Sequence, residues 1–196
     1  MSALKTMFQL TGRGYAAASL NNASLLIIDA QNEYLSGPLA LCGMEAATAN
    51  IGLLLEAARK AGRPVIHIRH LGTVGGMFDP QGPRGEFIAG LEPKADEVII
   101  EKRMPNAFND TGLQSALEKL GPLDLIVCGF MSHSSVSTTV RAAKDYGFRC
   151  TLVQDACATR DLPTPDGFIS AADVQRTEMA IMNDNFATLT LTKNLI

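Results

Sequence analysis

The stretch at residues 125–147, LIVCGFMSHSSVSTTVRAAKDYG, constrains the fold of this chain more than any other. Residues 125–128 are an apolar run that reads as a short strand buried on both faces. Gly129 follows, then a polar run from Ser132 to Ser135, then Val136, Val140 and Ala143 at helical spacing. Gly147 stands where a left-handed residue ends a helix. Strand, tight turn and helix in succession belong to parallel α/β architecture, and the turn lies beyond the carboxyl end of the strand, where ligands bind. A helix start there offers unpaired N–H groups and the positive end of the helix dipole. A nucleophile or an oxyanion at Ser134–Ser135 would be stabilised by both. Serine is also a good helix cap, and spacing alone favours that reading.

The rest of the chain repeats the alternation. Residues 25–28, LLII, read as a strand that ends in Asp29, Ala30, Gln31 and Asn32, with a carboxylate at its carboxyl end. Ala47, Ile51, Leu54, Leu55 and Ala58 keep a helical period that Gly62 and Pro64 stop. Residues 65–68 and 98–100 are further strands, the second followed by Glu101, Lys102 and Arg103. Asp110 is placed to cap a helix running to Leu120, ended by Gly121-Pro122. Residues 150–153 make a fifth strand, followed by the irregular DACATRDLPTPDG. Ser170 caps a last helix, with Asp173 as a partial capping box, and residues 187–191 are a sixth strand. Six strands alternating with four main helices predict a three-layer α/β/α sandwich around a six-stranded, mostly parallel, Rossmann-like sheet. That topology gathers Asp29, Lys102 and Ser135 at one sheet edge, although a strand-end charge is more often a solvated loop residue. Residues 1–22 show no clean periodicity and read as an extension packed on the body or on a partner. Residues 71–96 form a Gly- and Pro-rich loop of a length that is usually functional or mobile.

With 196 residues, 46% of them hydrophobic and 19% charged, the chain suits one folded domain and excludes a disordered one. A net charge of −3 without a basic stripe argues against nucleic acid or an anionic membrane as partner. No apolar run is long enough to span a membrane, and the first residues lack the apolar region of a signal peptide. Cys42, Cys128, Cys150 and Cys157 include no C-x-x-C pair and read as free, mainly buried thiols. These observations point to a cytoplasmic protein.

Three segments carry a family resemblance. LIIDAQNEYL, at residues 26–35, resembles the opening motif of the isochorismatase-like, or cysteine hydrolase, superfamily. EKRMPNAF, at residues 101–108, resembles its second motif, whose lysine belongs to the family's catalytic triad. VCGFMSHSSVSTTVRAA resembles its third, in which the nucleophile stands six residues after a glycine and precedes a valine, and DACATRDL resembles the segment that follows. The motifs keep family order and spacing, which implies a hydrolase domain over residues 23–196 and reverses the preference for helix caps. The resemblance implies that Asp29 is the acid/base carboxylate and Lys102 the lysine. Ser135 falls on the cysteine seat, a departure from the family. It further implies a non-proline cis peptide at Phe130–Met131, turning the Met131 N–H toward the Ser135 N–H as an oxyanion hole. It also implies a homo-oligomer, a dimer or a tetramer.

A thiol in that seat would ionise below its free value of about 8.5 and attack an amide, with Asp29 moving the proton. An alcohol needs a positioned base, and Lys102 beside Asp29 is expected to hold that carboxyl's pKa down. His133, next along the chain, need not face Ser135. The leading reading is hydrolysis of a C–N bond, amide or carbamoyl, in a small polar substrate, with Ser135 as a weak nucleophile or a water-binding group. The alternatives are vinyl-ether hydrolysis of the isochorismatase kind without a covalent nucleophile, a non-catalytic small-molecule-binding homologue, or a serine introduced to disarm a cysteine. Gln31 and Tyr34 are candidates to orient Asp29 or the substrate. His70, Phe78 and Phe108 are candidates to line the pocket, each also readable as plain structure. His67 and His70, three apart on a strand, point to opposite faces. No Asp-x-His, the metal motif of nicotinamidases, is present, so neither a metal nor another cofactor is expected. Gly72, Gly75, Gly76, Gly82 and Gly85 make the long loop a poor lid by itself, because ordering glycine backbone costs the most entropy. A neighbouring subunit is therefore expected to hold that loop, or to meet the N-terminal extension.

Overall fold

Each of the six apolar runs forms a strand, and its alternation divides its side chains between two faces. The structure, a computed structural model, describes residues 3–196. In chain order the elements are α1 (Met7–Thr11), β1 (Ser24–Ile28), α2 (Glu33–Ser36), α3 (Met44–Lys60), β2 (Val65–His70), β3 (Val98–Lys102), α4 (Leu113–Leu120), β4 (Asp124–Phe130), α5 (Ser137–Asp145), β5 (Arg149–Ala158), β6 (Leu162–Thr164), β7 (Gly167–Ile169), α6 (Ala171–Asn185) and β8 (Ala187–Thr190). The main sheet has the order β3-β2-β1-β4-β5-β8, and every pairing in it is parallel. The chain builds outward from β1 to β3, returns to β4 beside β1, and builds outward the other way. The switch point between β1 and β4 lies at the strands' carboxyl ends, where open parallel sheets bind ligands.

Leu25 and Ile27, with Ile126 and Cys128, pack against Ile51, Leu54 and Leu55 of α3. Leu26 and Ile28, with Leu125 and Val127, pack against Leu117 of α4, Val140 of α5 and Met182 of α6. Fully burying one such aliphatic side chain stabilises by about 1.5–3 kcal/mol, so both helical layers are held to the sheet. The result is the three-layer α/β/α sandwich. β4 approaches β1 so closely that a Cβ on Gly129 would lie 2.1 Å from the Ile28 carbonyl oxygen, and the Gly129 φ of 119° favours glycine.

Three local features differ from the sequence reading. β5 continues through Ala158, because a register shift after Val127 keeps Gly129 and Phe130 paired with Cys157 and Ala158. Beyond it, β6 and β7 form an antiparallel two-stranded ribbon within the segment read as irregular. Asp110 caps nothing: it adopts a φ of 54°, and the Leu113 N–H at the start of α4 is taken by Thr111 Oγ1 at 3.2 Å. Within its own chain the long loop is tied at three points. Ile88 N–H donates to Ala30 O, Asn32 N–H to Glu86 O, and Phe78 N–H to the buried Glu33 carboxylate, all within 3.0 Å. The N-terminal extension packs on the body. Ala18 N–H donates to Thr151 Oγ1 at 2.8 Å, Thr188 Oγ1 donates to Tyr15 O at 2.7 Å, and Phe8 of α1 is buried beneath Lys144.

Candidate active site

Asp29 follows β1 with a φ of 49°, a left-handed conformation that aspartate tolerates better than most residues. Its N–H donates to Ile68 O at 3.0 Å, and its carbonyl accepts from Gln31 N–H at 2.8 Å. Lys102 ends β3 in register with His70 at the end of β2. Its side chain spans β2 to reach Asp29. Lys102 Nζ lies 2.7 Å from Asp29 Oδ2, 3.1 Å from Ser135 Oγ and 3.1 Å from His70 Nδ1, so all three ammonium hydrogens have acceptors. Asp29 is fully buried and Lys102 is 2% exposed. The second carboxylate oxygen, Asp29 Oδ1, is buried without a partner among the described residues.

Burial pushes the Asp29 carboxyl above its ordinary value, while the Lys102 ammonium and the Ser135 hydroxyl pull it down. The sequence reading expected the Lys102 ammonium to prevail and gave the opposite sign; complete desolvation of the carboxylate outweighs it. His70 is pushed down to about 4 by burial, with Lys102 and Arg103 adding to the effect. It is therefore a neutral imidazole at pH 7.

Ser135 sits in a π-helical turn, Ser132–Val136, that runs directly into α5. Met131 O accepts from Ser134 N–H at 3.1 Å and from Val136 N–H at 3.2 Å, and the Phe130–Met131 peptide is cis. No serine side chain caps this helix: Ser132 Oγ donates to Gln175 Oε1 at 2.6 Å, and Ser135 Oγ accepts from Lys102. His133 turns away to Thr159 Oγ1 at 2.5 Å.

The remaining candidates divide. Phe78 is buried with its ring 4.8 Å from that of His70, and Tyr34 packs between Phe78 and Phe130. Burial, then the Asp29 and Glu33 carboxylates, push the Tyr34 phenol well up, so it stays protonated. Gln31 gives its polar atoms to backbone: Nε2 donates to His70 O and Gly85 O, both at 2.9 Å, and Oε1 accepts from His70 N–H at 2.7 Å. Phe108 is carried away from the site and stacks near Tyr146 and Phe148 under α5. The Ala107 N–H bond to Thr139 Oγ1, 3.0 Å, draws its segment there. Glu33, Thr139 and Gln175 each hold part of the site in place, and no spacing in the sequence marks them.

Three of the four cysteines are ruled out as nucleophiles. Burial pushes the Cys150 and Cys157 thiols to about 12 and raises the Cys128 thiol well above its ordinary value, so all three stay protonated. Cys42 is exposed. Among the described residues, no three His, Cys, Asp or Glu side chains group to hold a metal, and no helix is long and apolar enough to cross a membrane. A buried carboxylate with a raised pKa, an ammonium and a hydroxyl in mutual reach can move a proton and stabilise an anion at one point.

Residues 23–194 match the family model described as the isochorismatase domain. The crystal structure of an isochorismatase from Pseudomonas putida superimposes with a TM-score of 0.97 at 68% identity, covering 99% of this chain and 100% of that one. The secreted isochorismatase effector Isc1 of Verticillium dahliae is 36% identical over the full length of both chains. Nicotinamidase 3 of Arabidopsis thaliana is 33% identical over 154 residues, 70% of this chain and 73% of that protein. One of these relatives, the Verticillium effector, is a secreted protein.

Proposed function

The chain belongs to the isochorismatase family, and on that premise we propose that it hydrolyses a C–N bond of a small polar substrate at Asp29, Lys102 and Ser135. The observation that carries this reading is the buried meeting of Lys102 Nζ with Asp29 Oδ2 at 2.7 Å and Ser135 Oγ at 3.1 Å. Asp29 takes the proton of the Ser135 hydroxyl as Oγ attacks the carbonyl carbon, and the Lys102 ammonium stabilises the negative charge on Oγ. The Met131 and Ser135 N–H groups receive the charge that develops on the carbonyl oxygen. Asp29 then gives its proton to the leaving nitrogen, and water cleaves the resulting ester. A nicotinamidase among the relatives supports amide chemistry.

A second reading is favoured by the raised Asp29 carboxyl, which suits a proton donor. In it, Asp29 protonates a vinyl ether and water completes the hydrolysis without a covalent step. A panel of carboxamides, carbamoyl compounds and isochorismate separates the two. Ammonia release is expected; pyruvate release would move the assignment to ether hydrolysis, and turnover of none would leave a binding protein.

A further inference from the structure

We propose that His70 reads the substrate: its Nε2–H donates to an oxygen outside the scissile group, so the protein selects amides that carry a second carbonyl or carboxylate oxygen. This rests on the C–N reading above. Gln31 fixes the His70 backbone on both sides, bonding its N–H at 2.7 Å and its carbonyl at 2.9 Å. The ring is fixed as well, by Phe78 at 4.8 Å and by Lys102 Nζ, 3.1 Å from Nδ1. An ammonium has no lone pair, so Nδ1 must be the acceptor in that contact. A neutral imidazole with an accepting Nδ1 carries its only N–H on Nε2. The charged groups that act on the ring, Lys102 and Arg103, are both cations and oppose its protonation.

Nε2 has no hydrogen-bond partner among the described residues. It is also absent from the enclosed polar atoms left unpaired, so on this partly exposed residue it opens to solvent. His67, the fully buried histidine of the same strand, has its Nε2 engaged by Glu97 at 2.9 Å. His70 instead shares Lys102 Nζ with Ser135 Oγ, each at 3.1 Å, which sets its ring at the rim of that centre; Nε2 lies across the ring from Nδ1 and so aims its free N–H away from Lys102, where an oxygen outside the scissile group would sit. A donor that cannot become an acceptor admits an oxygen and rejects a competing N–H group.

The test compares succinamate with butyramide, which has the same length without the carboxylate. Wild type is expected to prefer succinamate by at least about tenfold in kcat/KM, mostly through KM, the size of one hydrogen bond to a charged acceptor. His70→Gln, which retains an N–H donor, keeps most of that preference. His70→Phe, which keeps the ring without the N–H, brings the ratio near one even though kcat falls for both amides. A ratio unchanged in His70→Phe would overturn the proposal. Nitrogen NMR of the histidine-labelled resting protein reads the same point without turnover. The Nε2–H tautomer is expected at pH 7, with its resonance shifted by added succinate. An Nδ1–H tautomer or an imidazolium at pH 7 would overturn it. If neither amide is cleaved but succinate shifts the resonance, the C–N reading fails and the role of His70 stands.

Discussion

Placing a thiol in the seat of Ser135 tests the chemistry assigned to the site. Ser135 is 5% exposed, and its Oγ lies 3.1 Å from Lys102 Nζ. At that separation a unit negative charge gains roughly 5 kcal/mol from the ammonium at an effective dielectric near 20. About 1.4 kcal/mol corresponds to one pKa unit, so this attraction alone would lower a thiol by more than three units. Burial and the Asp29 carboxylate act against it. Thiols beside a cation or at a helix start nevertheless ionise at about 3.5–7.5, compared with about 8.5 when free. Ser135→Cys should therefore be mostly thiolate at pH 8, where an alcohol is un-ionised. The expected result is a rise in kcat/KM for amides of roughly 100-fold or more, the scale on which a well-activated nucleophile differs from a poorly activated one. Ammonia release measures the rate, and the pH dependence of iodoacetamide alkylation measures the thiol pKa. An alkylation midpoint at or above the free-thiol value would refute the electrostatic argument. A low midpoint with no gain in amide hydrolysis would refute the assignment of the seat.

Lys102→Met leaves the fully buried Asp29 without its counter-ion and should cost about 3–5 kcal/mol in urea denaturation, partly recovered by adding Asp29→Asn. Gly129→Ala forces a Cβ to within 2.1 Å of Ile28 O at a φ of 119° and should cost more than about 3 kcal/mol or prevent folding. Stability should fall as pH drops from about 6.5 toward 4. His67, His70 and His133 all have folded pKa values below 6.5 and so bind more protons when unfolded. Glu97, lowered to about 2, adds its own loss below 4.5, and the raised Asp29 works in the opposite direction. Urea midpoints that stay level or rise between pH 7 and 5 would refute this sum. Finally, we propose a homo-oligomer of at least two chains, joined through the exposed Leu4 and Leu10 or the loop residues Val74 and Met77; light scattering from a fully active monomer at micromolar concentration would refute it.

The strands are legible because a strand buried on both faces writes its signal in consecutive residues. LLII and LIVC need no knowledge of their neighbours. What stays hidden depends on pairings across the fold. Phe78 and Phe108 are indistinguishable as lone aromatics. The bonds that send them to different places, Phe78 N–H to Glu33 and Ala107 N–H to Thr139, join residues 45 and 32 positions apart. The sign of the Asp29 shift is a sum over everything that excludes water from it, so a motif that names its lysine neighbour captures only one contribution. The glycines of the long loop do raise the entropy cost of ordering it. The bonds that offset that cost begin at Ala30, Asn32 and Glu33, outside the loop, where composition cannot reveal them. Gln31 shows the same limit within the site. Two residues after the carboxylate, it reads as a substrate ligand, yet its polar atoms are used on the His70 backbone and Gly85. The group left free to meet a ligand is therefore one strand over, on His70. Gln31, two residues after Asp29, braces β2 at His70, and the proposed recognition falls to the side chain that this brace holds still.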